Sequence, residues 1–571
     1  MEKGAKAFFV NLAAILLAAL LFAAIFPNPV FSYGLPFLAW VAFVPVFWVI
    51  RRTSLGFSVF YGAVYGYTAY ALFNYWLTVF NPIAGIVVHS LYLVKMALLF
   101  PLLRLTLDLF PRRFYIVQWL IWMAYEYLRT LGFLGYSYGI SGYSQWNILP
   151  LIQIADITGV WGVSALVVFP SAWLAAGINS NFDHAKPQRR KELSIIKDYT
   201  SSFAAWRLRV NSYFKNFFRK EWASAAVWLV LLIATVVYGF VSPIDYSEAK
   251  VARVLLIQHN TDPWLPARMG RIQAFEEYRN DFRILRRLSD EALAAHPYAD
   301  LVVWSETAFV PRIHWHNTIR DDPLYWQLVR ELLEYLREQD VPFVIGNDDT
   351  RRDPFVNPVW NHQVHYNAAI LFERGEIIDV YRKIHLVPFT EHFPFERQFP
   401  RIHQALLDAD THFWHKGTEF TIFETRGFRF STPICFEDTF GYLNREFVLR
   451  GAELFVNLSN KAWSNSLSSQ MQQLTMAVFR SVENRRSMVR STASGQTSAI
   501  DPNGRILAMA EPFTEAWLFA EVPVLDTPLT FYTRHGDYLG KAFTGIAFFL
   551  LIIGTITYII RNRFLRKYID E

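Results

Sequence analysis

Three short strings carry the residue types from which covalent acyl chemistry is built. Cys435, the single cysteine of the chain, follows the apolar, strand-like run FRFSTPI and opens the acidic stretch CFEDT. Glu306 follows the run LVVW in LVVWSETAF, and Lys383 lies in VYRKIHLVPFTEHFPF with Glu391 eight residues on. A thiol needs a base to become a thiolate, and acyl transfer needs a cation or oriented amides for the developing oxyanion. A carboxylate, an ammonium and a thiol at three strand ends supply those roles. Each residue alone has a plainer reading: a lone cysteine is a small buried hydrophobe, and Glu306 or Lys383 is a solvated surface group. A free thiol facing an oxidising compartment nevertheless asks for a chemical reason.

The elements that must position these residues are mixed strands and helices between residues 242 and 540. Strand-like runs fall at 252–257, 301–304, 342–345, 368–372, 428–434 and 454–458. Helical patterns with an apolar stripe cover about 272–295, 323–338 and 467–486. Strands alternating with helices predict a layered α/β domain. On either side the chain changes character. Apolar runs at 7–26, 35–50, 57–80, 83–103, 114–134, 160–178 and 222–241 precede the domain, and one at 542–560 follows it. Crossing a bilayer core takes about 20 apolar residues, so the sequence predicts eight transmembrane helices. The division is 1–241 as a membrane domain of seven spans, 242–540 as the α/β domain, and 541–571 as the eighth span and a basic tail. The first run also has the lysine-led start of a signal peptide, but the further spans make none necessary.

Composition agrees. Of the 571 residues, 53% are hydrophobic, 17% aromatic and 18% charged, which excludes a disordered chain. One cysteine excludes a disulfide framework and a cysteine-based metal cluster. The net charge of +6 is a topology signal. Arg51, Arg52, Arg104, Arg112, Arg113, ten basic residues of 180–221 and four of the tail all fall on one side, while loops 27–34, 81–82 and 135–150 hold no Lys or Arg. The positive-inside rule then puts both termini in the cytoplasm and 242–540 outside it. Lys95, Glu126, Arg129 and Asp156 lie in or near the runs, where ionisable groups face an interior or an interface. Glu126 and Arg129, three apart, can pair, and Arg129 is the best candidate for a phospholipid headgroup.

In order and spacing, WSET, YRKIHLVPFTEHFPF, PICFED and LFVNLSNKAW resemble the motifs of the nitrilase superfamily. The flanking apolar runs, with EYLR (126–129) and GYSQ (142–145), make the chain similar to the bacterial apolipoprotein N-acyltransferase family within it. The resemblance covers nearly the whole chain. It implies an extracytoplasmic α-β-β-α sandwich with Glu306 as general base, Lys383 as oxyanion stabiliser and Cys435 as nucleophile. Glu391 and Glu437 match two further acidic positions around the nucleophile, and Trp264 in IQHNTDPW matches a tryptophan on a nearby loop. Three departures touch the surroundings. Phe436 replaces a tyrosine, Lys461 replaces the acid of SNDAW, and RSTASGQT (490–497) replaces a string like RSTNNGIT.

The resemblance further implies a membrane phospholipid as acyl donor and a diacylglyceryl-cysteine apolipoprotein as acceptor. It implies a monomer in the bacterial inner membrane, with the catalytic domain in the periplasm. No cofactor is expected. The pairs His314/His316 and His362/His365 lack a third ligand at matching spacing, so no metal is expected either. The chain holds no P-loop or dinucleotide fingerprint, and its aromatics fit interfacial belts better than nucleic acid. Two alternatives remain: a membrane-tethered amidase or hydrolase of the same superfamily, and a catalytically inactive binding or scaffold protein. Seven runs ahead of the domain exceed what tethering needs.

Overall fold

The computed structural model describes residues 2–80, 82–178, 203–262, 269–354, 362–408 and 413–570. Five of its helices are long and apolar enough to cross a bilayer: Gly4–Ala24, Ala84–Leu109, Val160–Gly177, Phe217–Val241 and Tyr538–Asn562. The other three apolar runs take different forms. Run 35–50 splits into a 3-10 turn, Pro36–Trp40, and a nine-residue helix, Val44–Arg52. Run 57–80 breaks at Asn74 into Leu55–Phe73 and Trp76–Phe80. Run 114–134 gives a 15-residue helix, Phe114–Leu128, followed by turns. Leu55–Phe73 packs on Pro82–Leu109 through Gly62 and Gly66, where a Cβ would collide with the carbonyl oxygens of Met96 and Tyr92. Small residues four apart allow such close approach between membrane helices. Much of the basic 180–221 segment, including Arg189, Arg190 and Lys191, lies outside the described residues.

Among the described residues, the α/β part holds fourteen strands. They are β1 (Lys250–Gln258), β2 (Leu301–Trp304), β3 (Phe343–Asp348), β4 (Arg351–Arg352), β5 (Gln363–Val364), β6 (Asn367–Glu373), β7 (Glu376–Arg382), β8 (Phe423–Thr425), β9 (Phe428–Ser431), β10 (Leu454–Ser459), β11 (Ser487–Thr492), β12 (Ser498–Ile500), β13 (Ile506–Met509) and β14 (Ala516–Val524). Two six-stranded sheets, ordered β14-β1-β2-β3-β6-β7 and β13-β12-β11-β10-β9-β8, form the centre. Each has a parallel trio, β1-β2-β3 and β9-β10-β11, extended by antiparallel strands.

Alternation along the strands explains the layers. Val254, Leu256, Leu301 and Val303 turn toward the second sheet. Leu255, Ile257, Val302 and Trp304 turn outward onto helices Arg271–Ala295 and Pro323–Arg337, against Phe282, Leu285, Leu328 and Leu332. Between the sheets, Ser491 Oγ donates to the backbone oxygens of Ile257 and Val303, 3.1 Å from each. Helices Gly441–Leu449 and Leu467–Asn484 pack on the second sheet, completing helix, sheet, sheet and helix.

Leu467–Asn484 also joins this sandwich to the apolar helices. Its Gln472 accepts from the Trp76 indole at 3.0 Å and donates to the backbone oxygens of Pro27 and Phe73. Arg480 donates to the Tyr143 hydroxyl at 3.0 Å, and Glu483 accepts from the amide of Val160 at 3.1 Å. The helix is polar by sequence yet buried along nearly its whole length.

Candidate active site

Glu306, Lys383 and Cys435 come from three strand ends and meet at the carboxyl edge of the parallel trios, where open α/β sheets place their ligands. Glu306 stands in the turn after β2 and is 7% exposed. Its Oε1 accepts from the Asn367 side-chain amide at 2.8 Å and from Lys383 Nζ at 3.3 Å. Its Oε2 accepts from the backbone amide of Asn460 at 2.9 Å. The carboxylate is therefore held from both sheets.

Lys383 follows β7, and its side chain is fully buried. Its Nζ also donates to Glu391 Oε1 at 2.7 Å. Glu391 is fixed in turn by the amide of Val387, which donates to Oε2 at 2.7 Å. Burial works against the charge on Lys383, but Glu391 and Glu306 outweigh it and hold the ammonium above the ordinary lysine range.

Cys435 opens a one-turn 3-10 helix, Cys435–Thr439, after Ile434 bridges Leu458 of β10. Its φ of 50° is left-handed, an uncommon conformation for a residue with a Cβ. Such strain persists only where the surroundings over-determine it. Gln473 Nε2 donates to the Cys435 carbonyl at 2.8 Å, and Asn457 Nδ2 donates to the Pro433 carbonyl at 2.9 Å. Glu437 is a hub below the turn. It accepts from the amides of Ile384 and Ile434 at 2.8 Å, from His385 N–H at 2.9 Å and from the Tyr381 hydroxyl at 2.9 Å. It thereby ties the cysteine turn to the segment after Lys383, and burial pushes its carboxyl up to about 7.

The thiol is 9% exposed. Burial, then the negative charge of Glu306, push it up to about 11, against the pull of Lys383 and Lys461. A resting thiol of this kind needs a base before it can attack, and Glu306 is a carboxylate whose charge acts on it.

The remaining expected residues are placed as follows. Phe436 is half-buried, its ring 6.4 Å from Tyr138 and inclined by 14°, and edge-on to Phe440 at 4.9 Å. Tyr138 belongs to the apolar half, and it stacks on Tyr136 at 4.9 Å, which lies 6.1 Å from Tyr92. Arg129 lies at the other end of this aromatic row and away from the three reacting groups. Its Nη1 donates to the hydroxyls of Tyr70 at 2.6 Å and Tyr92 at 3.0 Å. Among the described residues, its buried Nε and Nη2 have no hydrogen-bond partner. Glu126 turns elsewhere, to Ser141 and the Trp122 indole, so the expected direct pair with Arg129 does not form. Trp264 lies outside the described residues. Sequence reasoning missed Asn367, Gln473, Tyr381 and Tyr138. Only Asn367 carried a signal, as the polar residue at the head of the apolar strand β6.

This geometry defines a class first: a cysteine, a carboxylate and an ammonium on a two-sheet sandwich. The family model for carbon-nitrogen hydrolases matches residues 257–527, and the model for the apolipoprotein N-acyltransferase N-terminal domain matches 17–173. Apolipoprotein N-acyltransferase 1 of Treponema denticola is 42% identical over 98% of both chains. Its counterpart in Treponema pallidum is 44% identical over 96% of both. The chain belongs to the apolipoprotein N-acyltransferase family. Among solved structures, Saccharomyces cerevisiae Nit3, of the nitrilase superfamily, aligns over 48% of this chain and 90% of its own, at 19% identity and a TM-score of 0.35.

Proposed function

We propose that the chain moves an acyl chain from a membrane phospholipid to the N-terminal α-amine of diacylglyceryl-cysteine apolipoproteins, in two steps through Cys435. The observation that carries this reading is the convergence of Glu306, Lys383 and Cys435 in one buried cluster, within a chain of this family. Glu306 takes the thiol proton, and the sulfur attacks the ester carbonyl. Lys383 and nearby amides hold the oxyanion. The ester C–O bond then breaks, the proton passes from Glu306 to the leaving oxygen, and a lysophospholipid departs from a thioester. In the second step the acceptor amine attacks the thioester carbonyl. The C–S bond breaks, and a proton returns through Glu306 to sulfur as the amide forms. Splitting one exchange into two is the gain from covalent catalysis, and ping-pong kinetics are its mark.

Glu391 anchors Lys383 in this scheme, and Glu437 holds the turn of Cys435. Phe436 lines the approach of the substrate, and Trp264 takes the substrate-binding role that the family resemblance implies. Arg129 contacts the donor's phosphate, a role supported by its two unpartnered N–H groups and by the row Tyr92, Tyr136, Tyr138 and Phe436 that leads toward the thiol. The arrangement follows the positive-inside reading: eight spans, a membrane domain over 1–241, a periplasmic catalytic domain over 242–540 and an eighth span with a cytoplasmic tail over 541–571. The enzyme works as a monomer in the inner membrane of a bacterium.

Phospholipid with a labelled acyl chain, incubated with the detergent-purified protein, tests the mechanism. The expected result is hydroxylamine-sensitive label on Cys435 that passes to a diacylglyceryl peptide. Absence of label, or label that persists in Cys435→Ala, overturns the mechanism, and transfer only to water points to a hydrolase.

A further inference from the structure

Lys461 is the charged group beside the thiol that the two-step scheme leaves without a task. It stands where the chain departs from the SNDAW string, two residues beyond β10, and is 4% exposed. The chain around it is fixed at the reacting groups. The amide of Asn460 donates to Glu306, and Leu458 bridges Ile434, the residue before the nucleophile. Lys461 Nζ also lies 5.8 Å from the centroid of the Trp76 ring, which belongs to the apolar half.

Proton transfer from Cys435 to Glu306 leaves the total charge of the site unchanged. It moves one negative charge from a carboxylate to a sulfur, so a nearby cation helps only if it favours the sulfur end. Lys383 Nζ lies 3.3 Å from Glu306 and 2.7 Å from Glu391, and its attraction to both carboxylates exceeds its attraction to the thiol. Lys461 has the opposite preference. Burial lowers its pKa, and of the groups that hold charge on it Cys435 acts most strongly, then Asp438, with Glu306 weaker. Also acting on this pair are the Ser459 side chain, which favours the thiolate, Arg490 of β11, which opposes the charge of Lys461 and pairs with Asp438 at 3.0 Å, and Tyr138 from the apolar half.

We propose that Lys461 is a positioning residue for charge: it draws the proton from Cys435 toward Glu306 and holds the thiolate ready for the acyl ester. This rests on the acyl-transfer reading above and adds to it a second cation that acts on the sulfur more strongly than on the base. Lys383 then remains available to the oxyanion.

Cys435 is the only cysteine, so alkylation of the full-length protein by iodoacetamide reports on it alone. The rate is measured against pH for the wild type, Lys461→Met, Lys461→Gln and Lys461→Arg, beside phospholipid labelling of each. The expected result is a midpoint about one pH unit higher in Lys461→Met, equal to about tenfold less thiolate at a given pH below it, with recovery in Lys461→Arg. A Lys461→Met profile that coincides with the wild type overturns the inference. Should that variant fail to fold, Lys461→Gln is read in its place, and a coincident profile has the same force. Failure of the acyl-transfer reading shows separately, as wild-type protein that takes no label.

Discussion

Arg485 closes a buried ion pair with Asp156: Nη2 lies 2.6 Å from Oδ2, and the side chains are 3% and 11% exposed. Arg485 follows the helix Leu467–Asn484, whereas Asp156 lies among the apolar helices. The Tyr238 hydroxyl donates to both oxygens of Asp156 at 2.9 Å. One pair therefore links the helix behind the nucleophile turn, through Gln473, to the apolar half.

Removing one partner strands the other charge in a dry interface. Such breakage costs roughly 3–5 kcal/mol, whereas replacing both partners together costs much less. Asp156→Ala should therefore lower the thermal midpoint of the purified protein strongly. Asp156→Ala combined with Arg485→Met should recover much of the loss. Thermal unfolding in detergent, followed by intrinsic tryptophan fluorescence, reads both. Equal midpoints for the wild type and Asp156→Ala are the contrary outcome.

The three reacting groups should fail in different ways. Cys435→Ala removes the thioester altogether, and no acyl label should remain. Glu306→Gln keeps the shape but removes the proton acceptor, and general-base loss typically costs 10²- to 10⁴-fold. Lys383→Met should lower turnover by roughly 10²- to 10³-fold, the cost typical of a lost oxyanion donor. It also leaves Glu306 and Glu391 buried without their shared cation. A lowered thermal midpoint should therefore accompany its slow turnover, and the drop should exceed that of Glu306→Gln, in which Lys383 keeps its pair with Glu391. Turnover of a fluorescent phospholipid donor, with melting curves, separates the three.

Phe436 touches Tyr138, Phe440 and His385 through its ring face and edge. Phe436→Ala deletes these contacts beside the thiol and should raise KM for the phospholipid more than it lowers kcat. Phe436→Tyr keeps the ring, so its KM should stay within about threefold of the wild type, a change below about 1 kcal/mol. Steady-state kinetics on both variants test the ring as a substrate wall. Equal KM values for Phe436→Ala and the wild type would refute that role.

The strands before Glu306 and Cys435 were legible because each is an apolar run ended by a polar residue, whereas β7, before Lys383, matches no expected run, its EIIDVYR mixing Glu, Asp and Arg with the apolar residues. The expected runs 301–304 and 454–458 meet β2 and β10 within one residue, and helix 272–295 starts one residue early. Strands β11 to β13 were not expected either: β11 mixes Ser, Arg and Thr with its apolar residues, and β12 and β13 are only three and four residues long. Run length does not show how three of the apolar runs are built, for a related reason. Mean hydropathy does not register the break at Asn74 or the 3-10 turn at Pro36, which follow from local backbone geometry. Asn367 and Gln473 hold the site through contacts 61 and 38 residues away in sequence, and no local pattern marks such partners. Glu391 was visible because its spacing from Lys383 is short enough to read on one loop.

Glu437 should give the protein a distinctive dependence of stability on pH. Its carboxyl is pushed up to about 7 by burial, against an ordinary value near 4.5. Between about pH 4.5 and 7 the folded state therefore holds a proton that the unfolded chain has released. Stability from this group is fully present below about pH 4.5 and declines as pH rises through 7, above which the loss is complete. A shift of this size corresponds to a few kcal/mol, at about 1.4 kcal/mol per pH unit. Glu437→Gln cannot titrate, so the wild-type midpoint minus that of Glu437→Gln should fall from pH 5 to pH 7.5 and then level off. Parallel melting curves across that range test it, and a difference that grows with pH contradicts the assignment. The same series should show whether the amides of Ile384, His385 and Ile434 need the charged form. If they do, activity in Glu437→Gln drops at every pH, since the cysteine turn and the segment after Lys383 lose their common acceptor.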